Sequence, residues 1–272
     1  MPLALLLLGL MVARCGLGAE APVPRVAPNY TAASIVNSAD NLSGVLAPNT
    51  IGTIYGTNLA YGTASLTPAD VQGGVLPIVL GDSETQVFFG NYAADLYYVS
   101  PTQINFLVPP MMLPGPVSFR VVIDGLEGKA IQLTLGAAAP GLFAMLVKDV
   151  TYAIATLVDG SLLTPSPPSS EAKPGVIVVL YATGLGATTP PAIYGQLPTA
   201  AAPLAPGANL EVLLNGVAVE SSAIGYAGVA PDNAGLYQIN LTLPKSTASN
   251  PEIRLRMHGV SSIPGVHLPV SP

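Results

Sequence analysis

The sequence predicts an all-β fold of two tandem antiparallel β-sandwiches. Three observations lead to this prediction. First, the 272 residues include 28 Gly and 28 Pro, while only 9% are charged. Helical bundles and coiled coils do not accommodate this composition. Second, apolar residues alternate with period two between turn signals. Third, a series of segments occurs twice in the same order. Hydrophobic residues make up 50% of the chain, which excludes intrinsic disorder.

The charge balance and the hydrophobic pattern exclude two further classes of protein. The formal net charge of -6 argues against a surface that follows nucleic-acid phosphates. After the N-terminus, the densest apolar run covers residues 176–180 and has the length of a strand. Because a spanning helix needs about 20 apolar residues, we expect no transmembrane span in the mature chain.

The N-terminus predicts export. An apolar segment over residues 3–12, followed by the small residue Ala19, is typical of a secretory signal peptide over residues 1–19. We therefore expect a secreted, cell-surface or periplasmic protein. Arg14 directly before Cys15 disfavours a lipid anchor on that cysteine, because a small residue is needed there. Since Cys15 is the single cysteine, the mature chain has no disulfide and must be stabilised by packing.

An internal repeat organises the remaining chain. Three pairs of segments match in the same order, at spacings of 126 to 135 residues: 54–59 with 180–185, 103–109 with 238–244, and 117–121 with 252–256. Matching order with small drift indicates a duplicated unit with loop insertions. We predict one β-sandwich over residues 27–137 and a second over 138–272, each with strands of five to eight residues.

Turn residues recur at equivalent places in the two units. Asn58 aligns with Gly184, and both residue types tolerate positive φ, which predicts a left-handed turn. Four residue pairs fit the tight turns of β-hairpins: Gly90-Asn91, which aligns with Asn215-Gly216, and Asp124-Gly125, which aligns with His258-Gly259.

Polar and aromatic residues also recur, and two interpretations remain open. As structural residues, the tyrosines would bond loop backbones as in the corner motif of sandwiches, and the amides would fix loop backbone groups. These recurring pairs are Tyr55/Tyr181, Tyr98/Tyr226, Gln103/Gln238 and Asn105/Asn240. As binding residues, exposed tyrosines would stack on sugars or anchor a protein partner. The candidates for ligand binding are Tyr92, Tyr97, Tyr98 and Tyr226.

The sequence carries no recognisable catalytic or metal-binding constellation. His258 and His267 are the two histidines, and neither has a second ligand at zinc-site spacing. The segment Gly81-Asp82-Ser83 lacks the Asp and His that a hydrolase would need near its C-terminus, so it predicts a turn. Asp40 and Asp70 are interpreted, with Asp82, as turn formers rather than calcium ligands. We therefore predict no catalytic residue, no metal and no cofactor.

The chain resembles a family of repeated C-terminal modules of large secreted bacterial proteins, mostly acidobacterial (Solibacter-type) and functionally uncharacterised. The resemblance extends over residues 27–270 and is carried by the segments 47–59, 98–106, 140–143, 180–186 and 235–240. Residues 55–59 also look like the opening of IPT/TIG-type immunoglobulin-like domains. The resemblance thus implies two IPT/TIG-like immunoglobulin-like sandwiches, and it brings no established activity or catalytic residue.

These observations favour a secreted, non-enzymatic interaction or adhesion module that contacts an extracellular protein or glycan. Two alternatives remain. The pair of sandwiches could be a structural spacer, which predicts a rigid junction between the units. It could also be an extracellular hydrolase with an unrecognised carboxylate site, which predicts a cleft with two carboxyl groups about 5–10 Å apart.

Overall fold

A computed structural model describes residues 25–44, 46–81, 84–165 and 170–272. These ranges contain β-strands and two short 3-10 helices, Ala32–Ser34 and Ser221–Ala223, with no α-helix among them. The all-β prediction is therefore confirmed. Two features predicted from the sequence lie outside the described residues: the signal peptide with Cys15, and the pair Asp82-Ser83.

The N-terminal sandwich contains ten strands in two antiparallel sheets. One sheet has the order β1-β2-β7-β6-β3 and the other the order β10-β8-β4-β5, with β9 paired to β8. The strands are β1 (Ile35–Asn37), β2 (Ile51–Tyr55), β3 (Ala64–Ser65), β4 (Gln86–Phe89), β5 (Tyr92–Ala93), β6 (Asp95–Val99), β7 (Gln103–Leu107), β8 (Gly115–Ile123), β9 (Leu126–Glu127) and β10 (Ile131–Leu135).

The described residues from 138 onward form the C-terminal sandwich and contain a second set of thirteen strands, in which Thr151 and Tyr152 pair in parallel with Val266 and His267. Its sheets have the orders β11-β15-β20-β19-β16 (with β14 paired to β15), β18-β17-β21-β22 and β12-β13-β23. The strands are β11 (Gly141–Leu142), β12 (Ala144–Val147), β13 (Val150–Ala153), β14 (Ala155–Leu157), β15 (Ile177–Thr183), β16 (Ala202–Pro203), β17 (Glu211–Leu214), β18 (Val217–Ala218), β19 (Ile224–Val229), β20 (Tyr237–Thr242), β21 (Ile253–Met257), β22 (Val260–Ser261) and β23 (Val266–His267).

The alternation in the sequence marks the faces of the sheets. In β8, residues 117, 119, 121 and 123 are buried, while the residues between them are half-exposed. In β21, residues 253, 255 and 257 are buried and the two arginines between them are half-exposed. Because successive side chains of a strand point to opposite faces, each strand contributes one face to a core between two sheets. One apolar core lies within residues 30–135 and another within 138–270.

The predicted turns adopt the backbone conformations that their residues favour. Asn58 and Gly184 have φ of 57° and 75°. In three hairpins both turn residues have positive φ, as type I′ turns require: Asp124-Gly125, Asn215-Gly216 and His258-Gly259. The fourth pair, Gly90-Asn91, differs because only Gly90 has positive φ, at 60°.

Strand register places the recurring residues at equivalent positions in the two sandwiches. Tyr55 pairs with Gln103 in β2–β7, and Tyr181 pairs with Gln238 in β15–β20. The next strand carries the same irregularity in both units. The register shifts between Leu96 and Tyr98, and between Ile224 and Tyr226. After the shift, Tyr98 faces Asn105 and Tyr226 faces Asn240. A β-bulge therefore changes the direction of the tyrosine side chain at the same place in each sandwich.

Candidate functional site

The outward faces of two equivalent sheets carry the recurring polar and aromatic side chains. Core residues such as Ile104 and Ile239 alternate with them along β7 and β20, so the polar side chains point away from the core. We call Tyr55, Tyr98, Gln103 and Asn105 the N-terminal patch. The C-terminal patch comprises Tyr181, Tyr226, Gln238 and Asn240. Neither patch includes a charged side chain.

The amides of each patch bond to one another. Gln103 Nε2 donates to Asn105 Oδ1 over 2.9 Å, and Gln238 Nε2 donates to Asn240 Oδ1 over 2.7 Å. The sequence-based expectation that these amides fix loop backbone groups is therefore wrong. The residues stand two apart on one strand, so they share a face and reach each other instead. This bond uses neither the Gln carbonyl oxygen nor the Asn NH₂ group of either pair.

The patch tyrosines are half-buried or exposed, and they make different hydrogen bonds. Tyr55, which is 40% exposed, donates to Asn41 Oδ1 over 3.0 Å. Tyr181 lies 3.3 Å from Thr156 Oγ1. Only the Tyr226 hydroxyl bonds a backbone carbonyl, that of Val229, at 2.9 Å. The corner interpretation thus fits Tyr226, whereas Tyr55 and Tyr181 bond side chains on the outward face.

The remaining two candidate binding tyrosines lie elsewhere. The Tyr97 hydroxyl donates to Ala234 O of the C-terminal sandwich over 2.7 Å, and burial raises the Tyr97 pKa. Tyr92 is 47% exposed but contacts the Tyr194 ring edge-on, with centroids 6.3 Å apart. Tyr92, Tyr97 and Tyr98 therefore do not form one exposed plane. Tyr97 is a residue of the junction between the sandwiches.

Hydrogen bonds link the two sandwiches at this junction. Asn49 Nδ2 donates to the Tyr237 hydroxyl over 3.0 Å, and the Ile51 amide donates to Thr183 Oγ1 over 2.9 Å. Tyr237 is fully buried and also donates to Gly186 O. Sequence reasoning missed Tyr237, although a signal existed. It precedes the repeated Gln-Ile-Asn segment, where the first unit has Thr102.

Apolar clefts flank the junction. A groove of about 680 Å³ includes Tyr97, Leu197 and Leu236 among its lining residues. A smaller cavity of about 160 Å³ lies beside Asn49 and Leu107, and a third cleft, of about 420 Å³, includes His258. Asp232 is the one carboxylate in these three clefts, so none of them provides the carboxylate pair that glycoside hydrolysis requires.

Within the described ranges, no group of three or more His, Asp and Glu side chains is placed to hold a metal ion. His258 is exposed in its turn. His267 is half-buried and its Nδ1 lies 3.0 Å from Asn250 O. The same ranges contain no helix long and apolar enough to cross a membrane.

Residues 34–136 match the IPT/TIG domain family. This match covers most of the N-terminal sandwich. Together with the antiparallel sheets of the two halves, the match supports the prediction of immunoglobulin-like β-sandwiches of the IPT/TIG type. The resemblance to acidobacterial modules stays a prediction. No curated protein matches the chain.

Solved structures with related features are distant. A surface glycan-binding protein from Prevotella bryantii is 13% identical, with a TM-score of 0.26, and the alignment covers 88% of this chain and 41% of that one. SGBP-B from a xyloglucan utilization locus of Bacteroides uniformis is 13% identical, with a TM-score of 0.27 and coverages of 90% and 50%. The plexin A4 extracellular region is 11% identical, with a TM-score of 0.26 and coverages of 90% and 18%.

This chain therefore spans half or less of each of these structures. With TM-scores this low, none of them supports an inference about the function of this chain. The fold assignment rests on the strands themselves and on the family match.

Proposed function

We propose that the chain is a non-enzymatic interaction module of the extracellular space or cell surface, and that it contacts a protein or glycan through its two patches. One observation carries the proposal. The same Tyr, Gln, Asn and Tyr side chains occupy the same register on the outward face of both sandwiches.

The chemistry of the patches fits a neutral partner surface. In each patch the Gln carbonyl can accept a hydrogen bond and the Asn NH₂ group can donate one. The intra-strand bond orients both amides before any partner arrives, which lowers the entropy lost on binding. The flanking tyrosines offer apolar ring surface with a polar tip, a combination enriched at interfaces.

Two equivalent patches on one chain also provide two contact points. If both engage a repetitive partner, the second contact forms at a high effective concentration, and the overall affinity exceeds that of either patch. We therefore expect binding to weaken when one patch is altered and to be lost when both are altered.

The test compares patch variants with a matched tyrosine variant. Y98A/Q103A alters the N-terminal patch and Y226A/Q238A alters the C-terminal patch. Y92A removes an exposed tyrosine outside both. The proteins are applied to an array of neutral and acidic polysaccharides and to secreted-protein fractions in a pull-down. Each patch variant should bind about tenfold more weakly or worse, the combined variant should not bind, and Y92A should match the wild type. Binding that survives in the combined variant contradicts the proposal.

A structural spacer is the second candidate, and the junction favours it. Hydrogen bonds from Asn37, Asn49 and Ile51 connect the N-terminal sandwich to the C-terminal one, which would keep the two units in a fixed orientation. If no glycan and no protein is retained by the wild type, while scattering shows a constant shape for the full chain, the spacer function replaces the interaction function.

A further inference from the structure

Asp95 is an anomaly in the junction. Its side chain is fully buried, and neither carboxylate oxygen has a hydrogen-bond partner, unlike any other buried side chain among the described residues. It opens strand β6 and pairs with Leu107 of β7. Leu107 belongs to the small apolar cluster that contains Leu76 and Ala234. The carboxyl therefore lies on the face that the C-terminal sandwich covers.

The cover over Asp95 is a segment of the C-terminal sandwich. A Cβ built on Gly195 would lie 3.7 Å from Asp95 Oδ1. The neighbouring Tyr194 hydroxyl donates to Ala93 O over 2.6 Å. Two backbone hydrogen bonds hold the same segment against the N-terminal sandwich. Leu76 N donates to Gly195 O over 2.8 Å, and Leu197 N donates to Gly74 O over 2.9 Å.

Among the residues that the structure describes, no positively charged side chain pairs with the Asp95 carboxylate. The ion pairs of the described residues join Arg25 to Asp124, Arg120 to Glu127, and Arg256 to Glu211, all away from Asp95. The titratable groups that face it are tyrosines: Tyr97 on its own strand and Tyr194 on the covering segment, with Tyr92 behind Tyr194. Burial raises the pKa of both Tyr97 and Tyr194, so these side chains are neutral at physiological pH.

We propose that deprotonation of Asp95 loosens the junction, so that the covering segment opens from the N-terminal sandwich as the pH rises. A neutral carboxyl tolerates this dry site, whereas a carboxylate without partners does not. Opening the segment admits water to the carboxylate and removes the penalty.

The direction of the pH dependence follows from linkage. Desolvation raises the pKa of Asp95 to about 7 in the closed junction. The Gly195 backbone amide, which faces the carboxylate, lowers the pKa of Asp95 and so opposes the desolvation only in part. In an open junction the pKa returns to about 3.9. Between these values the closed form binds one more proton than the open form. The ratio of closed to open junction therefore falls by about tenfold per pH unit from pH 4 to 7, and is constant above that range.

Amide hydrogen exchange on the full chain tests the proposal. The Leu76 and Leu197 amides report the junction directly, because each donates across it. From pH 4 to 7 their protection factors in the wild type should fall by about tenfold per unit. In D95N they should not vary with pH. D232N is the matched control, since it removes an exposed carboxylate near the junction and should behave like the wild type.

Two results overturn the proposal. One is a wild-type protection profile for Leu76 and Leu197 that does not vary with pH, which needs no variant at all. The other is a pH dependence that persists in D95N. If D95N does not fold, D95A supplies a smaller, uncharged side chain for the same comparison. Patch binding is measured separately, so failure of this proposal leaves the proposed function unaffected.

Discussion

The two sandwiches share the strand order and register of one sheet, but they fill their cores with different side chains. The N-terminal core is aromatic. Phe89, Phe106 and Phe119 form a mutual cluster with ring centroids 5.2 to 5.7 Å apart. The C-terminal core is mainly aliphatic, and Tyr237 is its largest fully buried side chain. Equivalent backbones are thus compatible with two different ways of packing.

One pair of equivalent positions shows how large and small core side chains replace one another between the two sandwiches. Gly52 pairs with Phe106 in the N-terminal sandwich, and Val178 pairs with Leu241 at the equivalent place in the other. A Cβ on Gly52 would lie 2.6 Å from two ring carbons of Phe106. A glycine beside a large ring is therefore replaced by two medium-sized side chains. Because interiors are close-packed, the combined volume of such a pair is constrained, while the individual residues are not.

The largest effect should come from breaking this compensation. G52V forces a branched side chain into the Phe106 ring, and we expect a loss of about 3 kcal/mol in the free energy of unfolding, at the upper end for overpacking. F106L alone leaves space and should cost about 1 to 2 kcal/mol. Urea unfolding of each variant measures both effects.

The double variant G52V/F106L recreates the pair of the C-terminal sandwich and serves as the decisive case. We expect it to be more stable than G52V, because the leucine makes room for the valine. If the stability loss of the double variant equals the sum of the losses of G52V and F106L, the two residues do not compensate for each other's volume. The proposed explanation of the two cores would then be wrong.

A loss of stability of intermediate size is expected at two buried tyrosines, one that bonds across the junction and one that bonds within its own sandwich. Tyr237 bonds Asn49 of the other sandwich, whereas the Tyr30 hydroxyl accepts from Val121 N within its own sandwich, at 2.8 Å. Each Tyr to Phe change should lower the free energy of unfolding by about 1 to 3 kcal/mol, because a buried polar group loses its hydrogen-bond partner.

Double-mutant cycles distinguish the two tyrosines. N49A and Y237F should show a coupling energy of about 1 kcal/mol, while N49A and Y30F should be additive within about 0.5 kcal/mol. Thermal or urea unfolding of the wild type, the three single variants and the two double variants gives both coupling energies. Equal coupling in the two cycles would mean that Asn49 does not act through Tyr237.

The smallest effect concerns the type I′ turns. The first turn residue is Asp124, Asn215 or His258, with φ of 48°, 48° and 47°. Asn adopts this left-handed conformation most readily of the three. H258N should therefore stabilise the C-terminal sandwich by about 0.5 kcal/mol, measured by thermal unfolding. The conservative exchange N215H should cost a similar amount, and a gain from N215H would contradict this explanation.

Much of the architecture follows from local features of the chain. Period-two alternation in β8 and β21 predicted their buried faces, and Asn and Gly placements predicted the left-handed turns. The order of the repeated segments predicted equivalent strands, and the paired registers of Tyr98 and Tyr226 agree with it. These features succeed because side-chain direction in a strand and φ preference in a turn depend on near neighbours.

The roles of individual polar residues were harder to predict. Gln103 was expected to bond a loop, yet it bonds Asn105 on its own strand, because several partners are available to a surface amide. Tyr97 was grouped with Tyr98 as a binding residue. The bulge between Leu96 and Tyr98 puts these adjacent tyrosines in different surroundings, and no local pattern in the sequence marks the bulge.

By itself, the sequence determined an all-β chain with repeated strands, turns and outward polar positions, since those depend on residue type and spacing. Only the tertiary structure decided what the second sandwich covers. The burial of Asp95 beneath Gly195, and the bond between Asn49 and Tyr237, join residues that are distant along the chain. Desolvation and hydrogen bonding at such a junction depend on how two folded surfaces meet, and no spacing within either repeat encodes that directly.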